Sequence, residues 1–145
     1  MTIMAVKRHR APLGRSEIMA RIRGKDTTPE LRFRKALRDR GIGYRLHAKD
    51  LPGRPDVVMR GGHLAIFVHG CFWHRHPGCR LAGTPRTRTD FWNAKFDANR
   101  RRDRRNLERL RADGWRAEIV WECEVADRRD LDLAVDAVAE MLGRR

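Results

Sequence analysis

Several features are scarce in this sequence, and each scarcity excludes something. No apolar run approaches the roughly 20 residues a membrane-crossing helix needs; the stretch Leu64-Ala65-Ile66-Phe67-Val68 stops at five. The first ten residues lack the apolar core of a secretory signal, so a cytoplasmic, nucleoid-associated location is expected. Cysteine is limited to three, an odd number that rules out an all-disulfide framework. In a reducing compartment such thiols serve as metal ligands or lie buried. Acid is short: 19 Asp+Glu stand against 33 Lys+Arg, for a net charge of +14.

The charge excess is uneven. Residues 1–25 carry seven basic side chains and one acidic, whereas residues 122–145 carry seven acids and four arginines. A basic front end points to a polyanionic partner met by one face. Arginine far outnumbers lysine, so a merely arginine-rich soluble protein is the bland alternative, and charge alone does not separate the two. A length of 145 residues with 41% hydrophobic content suits one domain with one core. We expect a basic, flexible arm over residues 1–15 and a single domain over 16–145.

Within that domain, Ser16 can cap a short helix ending at Gly24, with Ile18, Met19 and Ile22 on one side; the stripe fits a core face or an apolar wedge, and pattern alone favours core. Thr28-Pro29-Glu30 opens a second helix, with Thr28 as N-cap and Glu30 placed well for the helix dipole. Residues 44–47 read as an edge strand. Residues 56–59 and 64–68 form a hairpin across Gly61-Gly62. Residues 70–88 show no periodicity, and so long a loop needs something to hold it. Thr89 can cap a long helix to about Ala112, apolar along Phe91, Trp92, Phe96, Leu107 and Leu110. A strand over 115–121 and an amphipathic helix with Leu131, Val135, Val138 and Leu142 follow. The order is that of an α/β domain, a small mixed sheet flanked by helices.

The densest chemistry lies in residues 67–79, which hold two of the three cysteines and three of the six histidines. Cys71, Cys79 and the distant Cys123, with His76 or the competing His74, make a Cys3His set suited to tetrahedral zinc. With four protein ligands such a zinc is structural and would hold the 70–88 loop to the sheet. A second site is hydrolytic. Pro55-Asp56 opens one strand of the hairpin and Phe67-Val68-His69 ends the other, the layout of the PD-(D/E)xK nuclease core. The second carboxylate is missing and His replaces Lys. Mg2+ tolerates this, since it keeps several waters and needs only one or two carboxylates. Asp56 and the Val68 backbone carbonyl can hold it, and His69 and His74, titrating near working pH, can move protons.

The segments Leu51-Pro52-Gly53-Arg54-Pro55-Asp56, His69-Gly70-Cys71-Phe72-Trp73-His74, Thr87-Arg88-Thr89, Gly114-Trp115-Arg116 and Val120-Trp121-Glu122-Cys123, together with 21–27, resemble the very-short-patch-repair (Vsr) mismatch endonucleases over residues 16–124. The resemblance implies a restriction-endonuclease-like fold with a zinc loop. It also implies Mg2+-dependent nicking of double-stranded DNA 5′ to the thymine of a T·G mismatch left by deamination of 5-methylcytosine. It assigns Asp56 and Val68 (often Thr in the family) to Mg2+, His74 to the general base, and His69 to the scissile phosphate. Glu30 becomes an active-site acid, and Cys71, His76, Cys79 and Cys123 the zinc ligands. The family commonly has one residue between the last zinc His and Cys, whereas here Pro77-Gly78 intervene. Met19, Ile22, Phe72 and Trp73 become the wedge beside the mismatch, Phe72 and Trp73 as two adjacent exposed aromatics. Coupling to general mismatch-repair proteins is a family trait, and a single nick needs only a monomer.

Two rival functions remain compatible with the same fold: a restriction or defence nuclease acting on matched DNA, and a catalytically silent zinc DNA-binding module. Asp56, His69 and His74 together weigh against the silent module, which needs none of them.

Overall fold

A computed structural model describes residues 27–144. The expected N-terminal arm and the first helix, with Met19 and Ile22, lie outside the described residues. Those described form helix α1 (Thr28–Asp39), strands β1 (Arg45–Leu46), β2 (Val57–Met59) and β3 (Leu64–His69), long helix α2 (Thr89–Ala112), strand β4 (Arg116–Trp121), short helix α3 (Glu122–Ala126) and helix α4 (Arg128–Met141). The sheet order is β1-β2-β3-β4. The first three strands run antiparallel, and β4 joins β3 in parallel. The expected mixed α/β architecture is met.

The interior strand β3 explains the layering. Buried on both faces, it reads as an unbroken apolar run. Leu64 and Ile66 point into a core shared with Phe33 and Leu37 of α1 and Val135 and Val138 of α4. Ala65 and Phe67 point the other way, onto Leu110 of α2 and Ala117 of β4. Each fully buried Leu, Ile or Phe contributes about 1.5–3 kcal/mol.

Helix starts differ from expectation by one residue. Thr27, not Thr28, caps α1, its Oγ1 accepting the Glu30 amide at 3.4 Å. This moves Pro29 one position further into the first turn, where no intrahelical N–H bond is lost. At α2 the N-cap is Arg88 in a left-handed conformation (φ 52°), and Thr89 is already helical. The turn Glu122–Ala126 was expected only as chain beyond the strand; five residues are too few for a periodic signal.

The 70–88 segment is irregular apart from one 3-10 turn, Arg80–Ala82. Besides the cysteines, Arg75 holds it. Its guanidinium donates to the carbonyls of Phe72 (3.2 Å), Ala82 (2.8 Å) and Gly83 (3.2 Å) and lies 4.0 Å from the centre of the Phe96 ring.

Candidate active site and metal centre

Sheet register brings the chemistry together. His69 of β3 lies opposite Trp121 of β4. Just past the ends of these two strands, Cys71 in the loop after β3 and Cys123 in α3 come together, although 52 positions separate them in sequence. In the antiparallel hairpin Val57 pairs with Ile66, which sets Asp56, just before β2, at the same end of the sheet.

Cys71, His76, Cys79 and Cys123 each direct one ligand atom into a cluster whose members all lie within 4.8 Å of one another. His76 Nδ1 is 3.6 Å from Cys71 Sγ and 3.4 Å from Cys123 Sγ. A tetrahedron with Zn–N of about 2.05 Å and Zn–S of about 2.3 Å has an N···S edge of about 3.6 Å. The donor set and spacing thus fit a tetrahedral metal. It is His76, not the competing His74, that faces the thiols, since two residues between His76 and Cys79 leave the loop enough length to close. Burial pushes the Cys71 thiol up to about 12.

The second cluster lines a cleft of about 860 Å3 between α1, the ends of β2 and β3, and α2. Asp56 Oδ2 accepts the Val68 amide at 2.8 Å. Burial raises the Asp56 carboxyl to about 6, against the lowering effect of that hydrogen bond, and the negative charge of Glu30 adds to the rise. A buried carboxylate beside a second one suits a divalent ion. Glu30, fully buried on α1, supplies the carboxylate that β3 lacks; its Oε2 meets His47 Nε2 at 2.8 Å and Arg34 at 3.1 Å. Glu30, His47 and Asp56 form one potential metal-ligand group.

On the α2 side of the same cleft, His74 Nδ1 lies 2.6 Å from Asp103 Oδ2. A carboxylate only accepts, so this contact places the imidazole proton on Nδ1 and leaves Nε2 as a base. His69 stacks flat on His74, ring centres 3.7 Å apart. The expectation that His69 titrates near neutrality does not hold. Its burial, reinforced by His74, drives its pKa down to about 3, so it stays neutral at working pH.

Phe72 and Trp73 also depart from expectation: they are half-buried, not exposed. Phe72 packs edge-on to Trp73, Trp92 and Phe96, with centroids 5.1, 5.7 and 5.2 Å away, and Trp73 lies 5.6 Å from Trp92. Both still line the cleft.

Sequence reasoning missed His47 and Asp103. Asp103 left a signal: α2 carries one inward-facing stripe, Trp92, Phe96, Asn99, Asp103, Asn106 and Leu110, spaced by three and four, with Trp92, Phe96 and Leu110 buried and the three polar residues half-buried. The stripe is apolar at its ends and polar in the middle, where it borders the cleft. Asn99 donates from Nδ2 to the Trp73 carbonyl at 3.2 Å. His47 left no periodic signal, but its positive φ of 46° is the kind of strain that gathers at functional sites.

Known proteins resemble this chain in sequence and fold. The family of the DNA mismatch endonuclease Vsr matches residues 9–80. A type II nicking enzyme of Xanthomonas oryzae, V.XorIIP, is 48% identical over 117 residues, covering 81% of this chain and 85% of that enzyme. The DNA mismatch endonuclease Vsr of Escherichia coli is 45% identical over 117 residues, covering 81% of this chain and 74% of its own. The type II nicking enzyme V.NaeI of Lentzea aerocolonigenes is 37% identical over 139 residues, covering 91% and 80%. Among solved structures, the catalytic domain of the homing endonuclease I-Bth0305I superposes with a TM-score of 0.51 at 22% identity, covering 80% of this chain and 94% of that domain, a likeness of fold alone.

Proposed function

The chain belongs to the Vsr family of DNA mismatch endonucleases, and from that premise we propose that it nicks one strand of duplex DNA 5′ to the thymine of a T·G mismatch, with Mg2+ as cofactor. The observation that carries this reading is the convergence of the cation-seeking Asp56 and the oriented base His74 on one cleft walled by Phe72 and Trp73.

In this reading Asp56 and the Val68 carbonyl hold Mg2+, with Glu30 facing the same space. Bound there, a divalent cation offsets charge on the scissile phosphate and acidifies water. Only the backbone of residue 68 is needed, so Val in place of Thr is tolerated. His74 takes the proton from the attacking water at Nε2, and Asp103 holds the ring and stabilises the imidazolium that forms. Neutral His69 backs that ring and faces the phosphate. Phe72 and Trp73, with Met19 and Ile22, enter the stack beside the mismatch; a T·G pair stacks poorly and is cheap to open. Backing by Trp92 and Phe96 makes the two aromatics a stiff wedge. Exposed Arg100, Arg101, Arg104 and Arg105 on α2 meet phosphates. Cys71, His76, Cys79 and Cys123 hold a structural zinc.

The test is strand nicking of duplexes with one T·G mismatch in varied flanking contexts, with Mg2+, against matched controls. A nick 5′ to the mismatched thymine, lost in Asp56→Ala, is expected. Equal cutting of matched DNA would turn the reading toward a restriction-type target, and binding without any nick toward a silent module.

A further inference from the structure

The cysteine cluster and the cleft are joined by an unbroken stack of rings. The His76 ring lies flat on Trp121, centroids 4.2 Å apart with planes 10° from parallel. Trp121 meets His69 edge-on at 5.4 Å, and His69 stacks on His74 at 3.7 Å. His74 in turn is bonded to Asp103. The weak member of this series is His69. Its Nδ1 is buried with no hydrogen-bond partner among the described residues. An imidazole without that anchor is oriented by the rings around it, and those rings are His74, Trp121 and, at 5.8 Å, Phe67. Trp121 itself is fixed by β4, where it pairs with His69 in register, and by its amide, which donates to Glu124 Oε1 at 2.8 Å.

We propose that Trp121 is a positioning residue, a flat spacer that carries the order of the metal-bound loop to the His69–His74 pair and keeps His74 aimed at the cleft. The proposal rests on the functional reading above for its kinetic consequence but not for its structural one. Its physical basis is directional: stacked and edge-to-face rings favour particular orientations in a way that a shapeless apolar side chain does not.

Trp121→Leu keeps an apolar filler and removes the plane; Trp121→Phe restores a plane. Both proteins, loaded with zinc and assayed for metal content, would be compared with wild type by the nuclear Overhauser contacts between the His69 and His74 rings, which report ring geometry independently of the ring current lost with the indole. Single-turnover nicking of a T·G duplex with Mg2+ would be measured in parallel. In Trp121→Leu the expected result is one zinc per chain, DNA affinity within about twofold of wild type, weakened or lost His69–His74 contacts, and a nicking rate lowered by about tenfold or more. Trp121→Phe should recover most of the rate and the inter-ring contacts. Unchanged His69–His74 contacts in Trp121→Leu, or a zinc content that falls in step with the rate, would overturn the proposal in favour of a merely structural tryptophan. Should wild type nick no substrate, the functional reading fails, and the inter-ring contacts still decide the role of Trp121.

Discussion

The cysteine cluster and the cleft both lie at the end of β3, yet they are opposite in character. In the cluster four ligand atoms close upon one another, as a tetrahedral metal requires, and no position remains for substrate. In the cleft the groups are less settled: Asp56 is buried near another carboxylate, and His69 is buried with no partner for Nδ1 among the described residues. The closed site spends its ligands on order, and the open one keeps its groups reactive by denying them full solvation. Chemistry and scaffold are thus separated across a few residues of one loop.

The comparison breaks most completely at the metal. Cys71→Ser or exhaustive chelation should free the 70–88 loop, abolish nicking and lower the unfolding temperature markedly, as calorimetry with and without zinc would show. Next comes Asp56→Asn, which should abolish nicking while stabilising the Mg2+-free fold by about 1–3 kcal/mol. The sign follows from the pKa raised to about 6 from 3.8: the fold disfavours the charged carboxylate, so wild type carries a penalty that is full above pH 6 and fades as pH falls toward 3.8. Denaturant unfolding of both zinc-loaded proteins without Mg2+ at pH 7.5 and pH 4 would detect it; a gap of equal size at both pH values would refute it. A smaller effect is expected at His74→Ala, a loss of roughly 10²–10⁴ in single-turnover rate. Asp103→Asn should cost less, roughly tenfold to a hundredfold, because the base survives and only its orientation suffers. Both should leave zinc content intact. Least is expected from Arg75→Ala: a destabilisation of about 1–2 kcal/mol by lost carbonyl bonds, with zinc retained and DNA nicking reduced severalfold.

The same contrast explains what could be read before the fold was seen. The cluster was legible because three of its ligands crowd into nine residues, Cys71 to Cys79, and the fourth is the remaining cysteine. Spacing could not choose between His74 and His76; that depended on which ring the loop turns toward the thiols. Asp56 was legible from its place before a hairpin strand. Asp103 was not, because a charged residue on an arginine-rich helix looks solvated until the helix is laid against the cleft. His47 was hidden for a different reason: it meets Glu30 from a left-handed backbone position, which no side-chain pattern reports. The core face of α4 and the strands β2, β3 and β4 were readable from their apolar residues, whereas α3 was too short to register.

The register of β3 and β4 also governs how a chain of this kind can change length. Because His69 lies opposite Trp121, the two strands share one count of residues. A single insertion within 64–71 or 116–123 would turn every later side chain to the other face of the sheet, parting Cys71 from Cys123 and swinging His69 away from α2 at one stroke. Insertions can survive only outside the shared count. Between His76 and Cys79 the backbone bulges outward, with Pro77 and Gly78 exposed and Gly78 at a φ of 68°. A loop built this way absorbs a change in length that the strands would reject.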